Sequence, residues 1–274
     1  MSSILTNTSA MVALQTLKSI NTDLGKTQNA ISTGKDVASA KDNSAIWAIS
    51  KVMESDVSGF NAISDSLALG ESTVAVASAG AERIADILTD MKDKVIAANG
   101  ENVDHAKLEA EVNEMKLEIT SIIKGSQFNG KNLLNTAGGD MTVLSSLDRD
   151  AAGAVTTGTI TVKSVNFEAG LDLTTVVMTD ATTAAASIDD IEALIQTAVD
   201  GAAALGASAK RIEGQNVFVG KVMDAMKSGI GTLVDADMEA ASARLQALQT
   251  QQQLGVQALS IANQAPQTIL SLFR

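Results

Sequence analysis

Between residues 46 and 98 apolar side chains recur at alternating steps of three and four, and this seam constrains the chain more than any other feature. It runs Ile46, Ile49, Met53, Asp56, Phe60, Ile63, Leu67, Gly70, Val74, Ala77, Ala81, Ile84, Leu88, Met91, Val95 and Ala98, with only Asp56 and Gly70 breaking it. Such a seam lies along one side of an α-helix and requires a partner helix. At ~1.5 Å per residue the helix reaches roughly 80 Å, a rod rather than an ordinary globular helix. A second helix carries Leu108, Val112, Met115, Ile119 and Ile122 after the turn "NGENVD" (99–104), with Asp104 as its N-cap. A third seam runs Ile188, Ile191, Ile195, Ala198, Ala202, Leu205, Ala209, Ile212, Asn216, Val219, Met223, Met226, Ile230 and Leu233. Three such helices can cover one another in a bundle. The expected fold is mainly α, an elongated antiparallel bundle or coiled coil built from both chain ends, with a small β-hairpin element in the middle.

That β element is expected within 139–183, where "AGGDMTVLSS", "GAVTTGTITVKSVNF" and "LDLTTVVMTD" are rich in Thr, Val and Gly. Ile160 and Val162 alternate with Thr161 and Lys163, the period of a half-covered strand, and two or three short strands are predicted. The chain ends differ again. The N-terminal seam is Leu14, Leu17, Asn21, Leu24, Gln28 and Ile31, with amides at two positions, and "ASARLQALQTQQQLGVQALSIANQ" mixes glutamine among its leucines. A polar residue on a seam fixes register at a cost in stability, and isolated helices of this length are marginal in water. Both ends are therefore expected to stay largely unfolded in the lone subunit and to order against other copies.

The 274-residue chain has one proline, no cysteine and a net charge of -12, with aromatic residues at 2%. Absence of cysteine removes disulfides, thiol nucleophiles and thiolate metal sites. An acidic chain with almost no aromatic platform is a poor match for nucleic acid, and it lacks the basic face of a membrane-active helix. No apolar run approaches the ~18 residues of a membrane span, and no basic segment precedes an apolar stretch in "MSSILTNTSAMVALQTLKSI" as in a cleaved secretory signal.

Three stretches resemble a known family. "ISTGKDVASAKDNSAIWAIS" (31–50) is similar to the N-terminal signature of bacterial flagellins, "SQFNGKNLL" (126–134) to their turn after the second helix, and "LVDADMEAASARLQALQTQQQLGVQALSIANQAPQTILSLFR" (233–274) to their C-terminal signature. The order matches the family's, and the Asp-Asn-Ser-Ala-Ile-Trp variant resembles flagellins of alphaproteobacteria. The resemblance implies a short flagellin without large outer domains, a structural subunit of the flagellar filament in motility. It implies a terminal coiled-coil domain (1–42 and 234–274) at the filament's inner core, a helical rod domain (43–138 and 184–233) and a small β element of that rod (139–183). Implied partners are copies of itself, other flagellins, an export chaperone, the type III export apparatus, and hook-associated and cap proteins. The implied location is extracellular, after secretion without a cleaved signal. A hook–filament junction protein, which shares the terminal helices, is the alternative.

On this reading Leu14, Leu17, Leu24, Ile31, Leu245, Leu248, Leu259, Leu270 and Leu272 are the polymerisation and terminal coiled-coil residues, burying against other copies or against each other. Lys41, Asp42 and Asn43 form the joint between the weak N-terminal helix and the rod: Asp42 or Asn43 caps the rod, or Lys41 and Asp42 pair across subunits. In many flagellins the segment read by an innate immune receptor is leucine-glutamine-arginine-valine-arginine-glutamate-leucine. The matching stretch here is "LTDMKDK" (88–94), with Asp90 in place of the first arginine and Lys94 in place of the leucine. A charge reversal at a contact repels a complementary surface.

No enzyme constellation is found, and no cofactor or metal is expected. His105 is the only histidine, so the two-histidine zinc peptidase motif is excluded; it reads as a solvated residue at a helix start. "GIGTLVDAD" (229–237) has neither the preceding strand nor the lysine of a phosphate loop and reads as a helix break. Asn7-Thr8-Ser9 fits the N-glycosylation sequon, although the Ser/Thr-rich middle is the better candidate for O-linked sugars.

Overall fold

The computed structural model describes residues 7–150 and 152–272, with side-chain surroundings described up to 264. Among the described residues six α-helices run in chain order: α1 (Thr8–Thr33), α2 (Ser44–Ala97), α3 (His105–Gly125), α4 (Phe167–Gly170), α5 (Ala181–Val234) and α6 (Met238–Leu272). Four strands lie between α3 and α4: β1 (Gln127–Phe128), β2 (Lys131–Asn132), β3 (Met141–Arg149) and β4 (Val155–Val162). The chain divides into two compact units, one of residues 1–55 and 225–274 and one of 56–224, and α2 and α5 contribute to both.

In the 56–224 unit the seam of α2 is covered as its spacing predicts. Leu67, Val74, Ala81, Ile84, Leu88, Met91 and Val95 are buried with essentially no accessible surface. Helix α5 runs antiparallel to α2, because Ser64 bonds Asn216 at 2.9 Å near one end and Lys92 pairs with Glu192 near the other. Helix α3 is antiparallel to α2 as well, through Arg83–Glu118 at 2.9 Å and Lys94–Glu111 at 2.7 Å. The predicted turn is observed: Asp104 caps α3 by accepting from the Lys107 amide at 3.2 Å.

Each exception in the apolar seams has a partner. Asp56 accepts from Nε of Arg149 at 3.2 Å and also receives its Nη2, so a half-exposed guanidinium on β3 neutralises a buried carboxylate. Gly70 makes room for Val143: a Cβ there would stand 2.6 Å from Val143 Cγ2. Asn216 takes the Ser64 hydroxyl.

The α5 seam needs correction. Its buried positions are Ala184, Ser187, Ile191, Leu194, Ala198, Gly201 and Leu205, so at every second step the covered residue is one before the expected Ile188, Ile195 and Ala202. Small and polar residues conceal this face in the sequence. Ser187 is buried because its hydroxyl exchanges bonds with the Val177 backbone, accepting from N–H at 2.9 Å and donating to C=O at 2.8 Å. Gly201 lies where Phe167 and Val165 press in, and a Cβ would meet Phe167 Cζ at 2.6 Å. Gln215 donates to the Ser145 carbonyl at 2.7 Å. The β element thus claims a polar stripe on α5.

The middle holds an antiparallel hairpin, β3–β4, with Met141 opposite Val162, Val143 opposite Ile160 and a bulge between Leu144 and Ser146. Its Val143, Ile160 and Val162 point inward and its threonines outward, the alternation of a sheet covered on one face. "LDLTTVVMTD" does not form a strand. It makes a single 3-10 turn, Leu173–Thr175, capped by Asp172, and its apolar Val176 and Met178 are buried as an extended segment leading to α5. The second hairpin, β1–β2, turns on Asn129 and Gly130, both with positive φ (49° and 81°), the conformation a two-residue hairpin loop demands. His105 is half-buried rather than solvated, and its Nδ1 has no hydrogen-bond partner among the described residues.

Candidate assembly interface

In the unit of residues 1–55 and 225–274, α1 and α6 lie antiparallel. Asn7 Nδ2 donates to the Ala262 carbonyl at 2.7 Å, and Gln252 donates to Asn21 Oδ1 at 2.6 Å. Between them Gly255 faces Leu17 and Ile20; a Cβ there would sit 3.2 Å from Leu17 Cδ1. The amides expected to weaken the seams therefore meet across the pair, where they fix its register. Asn7 also caps α1 by accepting from the Ala10 amide at 3.1 Å, so both ends of the sequon side chain are engaged.

Cover over this pair is sparse. Leu248 is buried, at 8% exposure, and Thr27 with it. Leu17, Leu24, Ile31, Leu245 and Leu259 are half-buried, whereas Leu14 is 58% exposed. Leu270 and Leu272 fall where side chains lie outside the described residues. The sequence reading overlooked a second set: Met11, Val12, Leu254, Val256 and Ile261 are all exposed, Ile261 at 69%. They sit off the 3–4 seam, and only the length of apolar surface on both sides of each helix marks them. A helix pair apolar on more than its mutual face has surface left to bury.

The joint is a pair of chain crossings. Helix α1 ends at Gly34, whose φ of 70° is the left-handed C-cap. Residues 34–37 then run beside 234–236: Asp36 donates to the Val234 carbonyl at 2.7 Å, and Ala236 donates to the Gly34 carbonyl at 2.9 Å. Val37 and Val234 are buried there. Sequence reasoning missed this pairing, although Gly34 and the lone Val37 after Asp36 are its signal. Asn43 caps α2, its Oδ1 accepting from Ala45 and Ile46 amides at 3.2 Å each. Asp42 instead receives the amide and hydroxyl of Ser39, both at 2.9 Å, and these bonds hold its carboxyl below the usual range. Lys41 is exposed and has no ion pair among the described residues. The helix break falls at Asp235–Asp237, after both glycines of "GIGTLVDAD", and Asp237 caps α6 through the Glu239 and Ala240 amides. Close to the joint, Glu54 is kept ionised chiefly by its hydrogen bond from Lys51 at 2.6 Å.

In the receptor-matching segment, Asp90 is exposed on α2, and Lys94 is tied to Glu111, which raises its pKa. Among the described residues no group of three or more His, Cys, Asp or Glu could hold a metal ion, and no helix is long and apolar enough to cross a membrane.

Comparison with known proteins gives two family matches: "Bacterial flagellin N-terminal helical region" over residues 4–138 and "Bacterial flagellin C-terminal helical region" over 176–273. The interval between them holds the β3–β4 hairpin and α4. Flagellin FljM of Caulobacter vibrioides is 42% identical over 278 residues, covering 100% of this chain and 99% of that protein. A flagellin of Brucella melitensis biotype 1 is 41% identical over 282 residues, with 100% of both chains covered. Flagellin C of Rhizobium meliloti is 37% identical over 320 residues, again covering 100% of both.

Proposed function

The chain belongs to the bacterial flagellin family and is a structural subunit of the flagellar filament, and we propose that it polymerises through terminal helices that gain their order from neighbouring copies. The observation that carries this reading is the uncovered apolar surface of α1 and α6, from Met11, Val12 and Leu14 on one helix to Leu254, Val256 and Ile261 on the other. In water that surface is costly; against further copies it is the driving force for association. Leu17, Leu24, Ile31, Leu245, Leu248 and Leu259 line the contact, with the exposed set added here; Leu270 and Leu272 are assigned to it from the sequence alone, their side chains lying outside the described residues. A non-closing contact repeated from copy to copy generates a helical tube.

The division of labour follows the sequence boundaries: 1–42 and 234–274 form the inner core, 43–138 and 184–233 the rod, and 139–183 its β element. The joint residues Lys41, Asp42 and Asn43 separate core from rod. Asn43 is the cap, and Lys41, having no partner within its own chain among the described residues, is free to pair across subunits. The subunit works by geometry, without chemistry of its own. Other flagellins co-assemble with it, an export chaperone holds its uncovered C-terminal helix, the type III apparatus exports it to the cell exterior, and hook-associated and cap proteins bound the filament. The junction-protein alternative has no observation in its favour. Asp90 and Lys94 make the subunit a weak activator of the innate receptor, and strong signalling by purified monomer in a reporter cell line would contradict that.

The test is polymerisation of purified subunit, followed by electron microscopy. Micrometre filaments whose inner wall is built from α1 and α6 are expected; short rings, or filaments whose core excludes these helices, would overturn the reading.

A further inference from the structure

Two uncovered patches in the 56–224 unit have opposite character. On α5, Val217 and Phe218 are adjacent and exposed, at 55% and 57%. Lys210 and Lys221 stand seven residues before and four after Val217, on the same stripe of the helix, and Arg211 precedes Phe218 by seven. These three cations are exposed and have no ion pair among the described residues. Gly214 lies within the patch, and a Cβ there would meet nothing within 4 Å, so the floor beside Phe218 is low and open. Two carboxylates, Glu213 and Asp224, flank its edge.

On α3, Leu117 is 63% exposed and lines a shallow depression with Glu111, Glu114, Met115, Glu118 and Ser121. Glu111 and Glu118 lean toward Lys94 and Arg83 of α2. Glu114 has no ion pair among the described residues and lies one turn from Leu117 on the open stripe.

We propose that these patches bind each other between copies: Phe218 and Val217 of one subunit cover Leu117 and Met115 of the next, with Lys221, one turn from Val217, meeting Glu114, one turn from Leu117. The occupant is a second copy because both halves are present on one chain and complement each other in charge and apolar content. A chain carrying -12 repels its own copies at long range, so close approach favours a contact where the sign reverses locally. The two patches differ, so the contact is heterologous and does not close on itself. This inference rests on the filament reading and adds a second contact to it, away from the terminal helices.

The absence of cysteine allows a clean test. Leu117→Cys and Phe218→Cys subunits are prepared separately, mixed, polymerised and oxidised with copper phenanthroline. Covalent dimers containing one of each variant are expected, and none from filaments of either variant alone. Filaments that yield no mixed dimer, or dimers within one variant, overturn the inference while leaving the filament reading intact; wild-type subunit that forms no filament fails the filament reading itself. As a second measurement, Lys221→Glu and Glu114→Lys should each raise the critical concentration for assembly by about tenfold, and the double variant should restore it. Unchanged assembly in both single variants contradicts the pairing.

Discussion

The two units of this chain are built from similar helices and are buried to very different degrees. In the 56–224 unit, α2, α3 and α5 share a continuous apolar interior from Phe60 to Val95 and from Ala184 to Val219, and the hairpin adds Val143, Ile160 and Phe167. In the unit of 1–55 and 225–274, the buried apolar side chains among the described residues are Val37, Val234 and Leu248. Helix length is not the difference, since α6 has 35 residues. The difference is composition at the seam: amides at Asn21 and Gln252 replace leucine, and leucine moves to faces that no element of the same chain covers. A helix with little to bury against gains little from tertiary packing, so the paired α1 and α6 have far less within their own chain to hold them than the helices of the 56–224 unit have.

The largest expected effect breaks the assembling unit alone. Removing residues 265–274 should abolish filament formation, measured by sedimentation and electron microscopy, while the thermal midpoint of the remaining subunit by circular dichroism stays unchanged. Filaments from the shortened chain would sink the terminal-assembly account. Next in size, Phe167→Ala opens a cavity beside Gly201 and should lower the unfolding free energy of the lone subunit by about 3–5 kcal/mol in urea titration. Leu248→Ala should cost the lone subunit under ~1 kcal/mol, yet raise the critical concentration for assembly. Equal costs for the two substitutions would erase the contrast between the units.

Two smaller effects sharpen it. Asn43→Ala removes the cap of α2 and should cost about 1 kcal/mol, with Asn43→Asp close to neutral; the readout is urea unfolding of the subunit. Acid should act on the self-sufficient unit through its loop carboxylates. Asp104, Asp172 and Asp180 are all held below their ordinary value of 3.8, mainly by hydrogen bonds from Lys107, Thr174 and Thr183 respectively. A depressed folded-state pKa contributes stability that is complete above the unfolded value and is lost as pH falls through the folded one. Stability of the lone subunit should therefore be flat above about pH 5 and decline below about pH 4, and Asp180→Asn should flatten the decline.

Much of this was legible in the sequence, and the exceptions share a cause. From Phe60 to Val95 the α2 seam was readable because, Gly70 apart, its positions carry apolar side chains and are buried, so periodicity and burial coincide; nearer the helix start they part, with the expected Ile49 exposed and Ser50 buried instead. The α5 seam slipped by one at every second step because Ser187 and Gln215 make polar contacts to the middle segment and Gly201 leaves room for Val165 and Phe167. Periodicity reads hydrophobicity, not burial, and a helix packed against backbone carbonyls exposes the difference. The segment 171–180 looked like a strand since Val and Thr favour one, but its residues are fixed by the Asp172 turn and by Ser187 rather than by a neighbouring strand. On α1 and α6 the seam leucines were legible and the exposed set was not, because sequence patterning identifies the face a helix shares with its first partner, and Met11, Val12, Leu254 and Val256 belong to others.

Hydrogen–deuterium exchange, read by mass spectrometry on the lone subunit and on the filament, tests the contrast most directly. Amides of α1 and α6 should exchange within seconds in the subunit and be protected in the filament, while α2, α3 and α5 within 56–224 are protected in both. Strong protection of α1 and α6 in the lone subunit, equal to that of α2, would contradict the account.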